Sequence, residues 1–443
     1  MNRILRISII VVTLPCVILC SAWGETEESS RTGTIDLLLE RAMTRNLISG
    51  GVVVVGNHAG ILYSTTIGDT QQPGSPKLSD RTMFDLASLT KVIATTPAIM
   101  KLLDEEKISL LDPLTHWFPE FAGTPLEGCT ILNLLTHTSG LGDVDVSNDG
   151  DAIQSVIRKA AAEKPFSPPG ICFSYADINF ILLGELVHRV SGQQLDTFCH
   201  DEIFAPMGNN ATMFLPPKEL ADTIAPTLGL SRGIVQDMNA RRLGGVAGHA
   251  GLFSSGEDLA RFARLMLNGG VIDGKRILSE RVINQMTAPY FYSNGKVIRG
   301  LGWDIESAFS APKGSLFSET SFGHTGYSGS SIWIDPKEDL FVIFLTNRLN
   351  YRNIKIFNQL RSDISTIAAA NFTVADDSMR LTSISEVARI TASLTHPVQP
   401  IAKPQPHRIR LLAYASQAHS KYQSAKRRSK GRHHKSYGKI HHA

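Results

Sequence analysis

Two pairs of strand-like runs, one near each end of the chain, bracket a long stretch that reads almost entirely as helix and loop. Val52 to Val55 is a β-branched run opened by Gly50-Gly51, and Gly60 to Ile67 follows it after the turn residues Asn57 to Gly60, so the two form a hairpin. About 270 residues later, Ser330 to Ile334 and Leu340 to Thr346 repeat the arrangement across the turn-rich Asp335-Pro336-Lys337-Glu338-Asp339. A hairpin needs sheet partners, and the two distant pairs are expected to complete one antiparallel sheet. Between them, Lys91 to Glu106, Ile178 to Val190 and Asp258 to Asn268 carry helical periodicity, and helices are also expected over Thr34 to Ile48 and Tyr351 to Ala370. The fold class that follows is α+β: an antiparallel sheet flanked by helices, with an all-helical lobe inserted between its strands.

The rest of the composition decides what surrounds that body. With 443 residues, 42% apolar and 19% charged, the chain has ample material for a core, which excludes wholesale disorder, collagen and a long coiled coil. Residues 400 to 443 hold eleven Lys or Arg and no Asp or Glu. Setting these aside with Arg3 and Arg6 leaves 31 basic residues of 44 against 41 acidic, so the body carries about −10 and the tail +11. Residues 376–443, with Pro397, Pro400, Pro404 and Pro406, read as a linker and a solvated basic tail. Such a tail suits an anionic envelope polymer or lipid surface by general electrostatics, and no specific nucleic acid is expected as a partner. The pairs His433-His434 and His441-His442 have no acidic ligand nearby, so no metal is assigned to them.

Residues 1–24 have the pattern of a secretory signal: Arg3 and Arg6, an apolar stretch from Ile7 to Cys20, then Ala22-Trp23-Gly24. Export to a periplasm or the exterior is the expected consequence. The rival, an uncleaved anchor, is opposed by Pro15 and by a length short of the ~20 residues a spanning helix needs. Removal of Cys16 and Cys20 with the signal leaves Cys129, Cys172 and Cys199, an odd number at spacings that fit no zinc pattern. Buried free thiols are expected, and residues 25–375 form the functional domain.

Three short motifs carry chemistry. Ser88-Leu89-Thr90-Lys91 opens an apolar-periodic segment, and residues three apart on a helix share a face, so the Lys91 amine can reach the Ser88 hydroxyl. A helix start also aims amides and a positive dipole end at an oxyanion forming there. Tyr175-Ala176-Asp177 opens another helical pattern after Pro168-Pro169-Gly170, and His324-Thr325-Gly326 leads into the strand from Ser330. Alone, the first motif is no more than a helix start; the three in this order are a pattern.

At this point the chain resembles the serine β-lactamase and penicillin-binding protein superfamily, particularly the class C β-lactamases with the related DD-peptidases and esterases. Leu134-Leu135-Thr136-His137-Thr138-Ser139-Gly140-Leu141, Leu182-Leu183-Gly184-Glu185, Gly244 to Phe253 and Gly300-Leu301-Gly302-Trp303 are similar to segments of that family, and the likeness spans about residues 34 to 370. It implies the β-lactamase/transpeptidase-like fold and no cofactor. It further implies Ser88 as acylated nucleophile, Lys91 and Tyr175 as its acid and base, and Asp177, His324, Thr325, Gly326 and Tyr327 around the substrate. The amides of Ser88 and Tyr327 would form the oxyanion hole. The implied substrate is a small molecule or a peptidoglycan peptide, with a DD-peptidase first, an esterase second and a β-lactamase third. A binding protein that acylates slowly or not at all is the reading from another class.

Two departures bear on substrate. The family's second triplet often ends in Asn, where Asp177 turns an amide donor into an acceptor. The third often begins with Lys, where His324 is mostly neutral at pH 7 and holds a carboxylate less firmly. Asp177 either caps the helix from Ile178 or takes part in catalysis. His137 and His249 read as structural hydrogen-bonders; Asp237 and Asn239 either line the pocket or shape a loop. Lowering a Lys from ~10.4 or a Tyr from ~10 to about 7 needs roughly 4 kcal/mol. Desolvation and mutual coupling of Lys91 with Tyr175 are expected to supply most of it.

Overall fold

A computed structural model describes residues 33–69, 77–147, 150–227, 229–293, 296–307, 312–351, 353–373, 377–394, 396–397 and 400. The expected signal peptide at 1–24 and the basic run beyond 400 lie outside the described residues. Among the described residues, no helix is long and apolar enough to cross a membrane.

The two ends of the chain do build one sheet. Ile48–Gly56 pairs antiparallel with Ile61–Gly68 on one side and with Leu340–Arg348 on the other. Ser331–Asp335 and then Phe322–Thr325 continue it, giving five antiparallel strands. The edge strand Phe322–Thr325 was not anticipated, because four residues around a glycine give little pattern to read. Both faces of the sheet are covered. Val52, Val54, Ile343 and Leu345 point into the core shared with the helical lobe, while Val53, Val55, Val342 and Phe344 point into a second core. Burial on both faces is why these strands read as continuous apolar runs instead of alternating ones.

The second core is closed by the helices 33–44 and Ile354–Phe372. The first of these ends earlier than the expected Ile48, because Asn46 takes a left-handed conformation (φ 56°) and Ile48 already pairs in the sheet. The chain also departs from the linker expected from residue 376: Asp377–Leu394 is a helix whose Ile390 is fully buried in this core, with Val387 and Leu394 against it. Among the described residues these three form its docking face.

On the other side lie the helices Thr96–Asp104, Ala152–Ala162, Asp177–Ser191 and Gly256–Leu267, packed in the larger core. The α+β organisation with an inserted helical lobe is therefore observed. Cys129 and Cys199 are buried free thiols as expected, whereas Cys172 is exposed.

Candidate active site

The start of the central helix is shaped by a buried carboxylate. Phe84–Asp85 pairs with Leu252–Ser254, and the Asp85 side chain then accepts hydrogen bonds from the amides of Ala87 (2.8 Å) and Gln236 (2.6 Å). Ala87 is held at φ 48°, an uncommon conformation for a residue with a Cβ, and Ser88 follows in a 3-10 turn over Ala87–Leu89. A π-helical turn, Lys91–Thr95, leads into Thr96–Asp104. Leu89, Val92, Ile93 and Ala94 are fully buried, which fixes the segment in the core and leaves Ser88 partly open to solvent.

Lys91 is fully buried, and its Nζ lies 3.1 Å from Ser88 Oγ, 2.8 Å from Asp177 Oδ1 and 3.0 Å from the His249 carbonyl oxygen. Three oxygens are a full set of acceptors for an ammonium group. Tyr175 lies beside this group, with Lys91 Nζ 5.1 Å from the centre of its ring, close enough for Lys91 and Ser88 to act on its phenol. Tyr175 stacks on His137 with ring centres 4.5 Å apart. The Nδ1 of His137 accepts from the Ala176 amide at 3.3 Å, so His137 backs the tyrosine as a structural group, as expected.

The strand end at His324-Thr325-Gly326 comes against the nucleophile turn. A Cβ on Gly326 would meet the Leu86 carbonyl oxygen at 2.4 Å, so only glycine allows this approach. The Ser328 hydroxyl donates to the Asp85 carbonyl at 2.7 Å, and Arg361 donates to the carbonyls of Gly326, Gly329 and Ser330 at 2.7, 3.1 and 2.9 Å. The turn bearing the Tyr327 amide is thus clamped from beneath. Tyr327 is 47% exposed at the mouth, where its ring stacks on Tyr351 at 4.8 Å. Thr325 is partly exposed, and His324 is buried with Nδ1 2.9 Å from the Thr325 carbonyl oxygen.

The electrostatics differ from the expected pairing. Burial disfavours the Lys91 ammonium, but the Asp177 carboxylate charge outweighs it and holds the lysine above its ordinary pKa. Burial raises Tyr175 despite the opposing Lys91 charge, leaving a neutral phenol. The expectation that desolvation and Lys91–Tyr175 coupling lower these groups toward neutrality is therefore corrected: it left out the carboxylate 2.8 Å from the amine. His324 is driven well below its usual value by burial and by the Arg299 and Lys91 charges, so it is neutral, as expected.

Every residue of the expected constellation (Ser88, Lys91, Tyr175, Asp177, His324 and the Thr325-Gly326-Tyr327 turn) lies in or beside this one cleft. Asp85 and Arg361, which orient its two walls, left no signal in the sequence beyond an ordinary Asp and Arg. Side-chain atoms of Asp177, Asp237 and His249 lie within 4.8 Å of one another. The carboxylates of this cluster already have protein partners, since Lys91 pairs with Asp177 and His249 Nε2 lies 3.0 Å from Asp237.

The arrangement sets a serine hydroxyl beside an amine and a phenol, with a clamped turn opposite, in a chain that is similar to known proteins. The family model described as Beta-lactamase matches residues 35–358. A protein of Escherichia coli (strain K12) named "Putative D-alanyl-D-alanine carboxypeptidase" is 31% identical over 311 residues, covering 61% of this chain and 70% of its own. The "N-acetylmuramyl-L-alanine amidase" of Bacillus subtilis (strain 168) is 28% identical over 362 residues, 71% of this chain and 80% of its own. A solved penicillin-binding protein homologue from Caulobacter crescentus superposes with a TM-score of 0.63 at 21% identity, over 77% of this chain and 97% of its own.

Proposed function

Because the chain belongs to the beta-lactamase family, whose members and relatives mark it as a serine hydrolase, we propose that it forms an acyl-enzyme at Ser88 and acts as a DD-carboxypeptidase on peptidoglycan peptides. The observation that carries the reading is the hydrogen bond from Lys91 to Ser88, with the Tyr175 ring beside the amine, facing the Gly326–Ser328 turn. Ser88 Oγ attacks the scissile carbonyl, and its proton passes to the Lys91–Tyr175 pair. The amides of Ser88 and Tyr327 receive the oxyanion. The pair returns the proton to the leaving amine, and water then releases the acyl group by the reverse transfer. With Lys91 an ammonium and Tyr175 a phenol at rest, one proton must leave before the pair can act as base, so turnover rises on the alkaline side.

A neutral His324, in place of a lysine, disfavours an efficient β-lactamase and leaves esterase activity open. An amidase reading, cleaving the bond between muramyl lactate and the first peptide residue, is favoured by the greater length over which the Bacillus relative matches. Exported delivery to the envelope, with the run from Lys403 to Lys439 engaging an anionic surface, completes the proposal; deletion of 400–443 should remove salt-sensitive retention and leave turnover intact.

The test is a panel run on the purified chain: a D-Ala-D-Ala peptide, a muramyl peptide, short acyl esters and nitrocefin. D-alanine release that is absent in Ser88→Ala supports the carboxypeptidase. Release of intact peptide from the muramyl substrate transfers the assignment to the amidase, and turnover of esters alone overturns both.

A further inference from the structure

The charge arrangement behind Lys91 reaches further than the nucleophile's immediate neighbours. His249 supplies the carbonyl that accepts from Lys91 Nζ at 3.0 Å. Its ring is 1% exposed and is anchored through Nε2 to Asp237 Oδ1 at 3.0 Å, while its Nδ1 makes no hydrogen bond. Asp237 also caps the helix Met238–Arg242 by accepting from the Ala240 amide at 2.7 Å, so its position is fixed by the backbone. Asp177, which grips Lys91, lies within 4.8 Å of both groups. From Asp237 inward the order is carboxylate, imidazole, carboxylate, amine.

We propose that the His249 imidazolium, held by Asp237, is a positioning residue that shares Asp177 with Lys91 and thereby sets how readily Lys91 gives up its proton. The inference rests on the Ser88 acylation reading of the same site. Two carboxylates near a buried amine would lock it as an ammonium, and a base locked in its acid form cannot take the serine proton. One extra positive charge among them weakens that lock by repulsion and by occupying part of the carboxylate field. Burial disfavours a charged His249, and Asp237 followed by Asp177 overrides this to hold its pKa above the ordinary value; the Lys91 charge opposes them. The same coupling holds Asp237 well below the usual carboxylate range despite its burial, with His249 the strongest stabilising charge. Asp143 is coupled to His249 and Lys91 from the loop before residue 150, and Tyr175, His137 and His324 also interact with the Lys91 charge, with Arg299 acting on the two histidines. Burial holds His137 and His324 well below the ordinary histidine value, whereas Asp237 and Asp177 favour the charged form of His249 on this side of Lys91.

The experiment measures the rate at which a fluorophosphonate probe labels Ser88 between pH 6 and 10 in the full chain. Replacing the ring by a neutral side chain, His249→Gln, leaves Asp237 unbalanced. The rise in labelling should move to higher pH by about one unit, a roughly tenfold slower reaction on the rising limb. The double variant Asp237→Asn/His249→Gln restores the charge balance and should return to within about threefold of the wild-type profile. A merely structural role predicts a uniform loss at all pH values and a double variant slower than either single one; that result overturns the inference. A wild type that does not label overturns the Ser88 reading itself, whereas a labelled wild type with an unmoved His249→Gln profile overturns this inference alone. If these variants do not fold, side-chain nitrogen NMR of the wild type decides: a doubly protonated His249 at pH 7 supports the inference, and a neutral ring refutes it.

Discussion

Lys91 Nζ lies closer to Asp177 Oδ1, at 2.8 Å, than to the Ser88 hydroxyl it is to activate, at 3.1 Å. A carboxylate that holds the amine as an ammonium acts against its use as a base, so the site is poised for alkaline activation. Asp177→Asn removes the charge while keeping a hydrogen-bonding side chain. Burial then dominates at Lys91 and its pKa falls, so the rise of kcat/KM with pH should shift to lower pH by at least one unit. A profile that stays in place would mean that Asp177 does not control the lysine.

The contact between the two walls of the cleft depends on a missing Cβ. In Gly326→Ala the new carbon would fall 2.4 Å from the Leu86 carbonyl oxygen, and the strand end must move away from Ser88. A displacement of about 1 Å can cost ~10²-fold in rate. We expect kcat to fall by about that factor with a thermal transition within a few degrees of wild type; unchanged kcat would show that the turn does not position the oxyanion donors.

Much of this was legible in the sequence because it is local. The helical spacing of Ser88 and Lys91 fixes their contact, and the β-branched runs from Val52 and Leu340 declare a buried sheet. The sequence likewise marked Tyr175 and His324 through their motifs. What was not legible is long-range: Asp85 meets Gln236 across 151 positions, and the segment carrying His249 reaches Lys91 across 158. The error over the lysine has the same origin. Asp177 reads in the sequence as a helix cap or a participant in catalysis, and its effect on Lys91 depends on a distance across 86 positions.

Asp85 predicts a pH-dependent stability. Its carboxyl is pushed up from 3.8 to about 6, chiefly by burial. A folded-state value above the unfolded one means that its contribution is complete below about pH 4 and is lost as pH rises through about 6. Two units correspond to about 3 kcal/mol. The unfolding free energy of wild type minus that of Asp85→Asn should therefore fall by about 3 kcal/mol between pH 4 and pH 7 in urea titrations. A constant difference would contradict the assignment.

The helix Asp377–Leu394 should contribute to the stability of the body. Ile390 is fully buried, and its truncation to Ala is expected to cost about 2–4 kcal/mol. A chain ending at residue 376 should melt lower than one ending at 400, while labelling at Ser88 persists. Equal melting temperatures would restore the description of this region as a linker.

The central claim is that one hydroxyl, at Ser88, becomes covalently acylated with the help of an amine one turn away. Intact-protein mass spectrometry after exposure to a fluorophosphonate or a fluorescent penicillin tests it most directly. The account predicts a single adduct mapping to Ser88, absent in Ser88→Ala and slowed at least a hundredfold in Lys91→Ala. An adduct on another residue, or one that forms equally fast without Lys91, would contradict it.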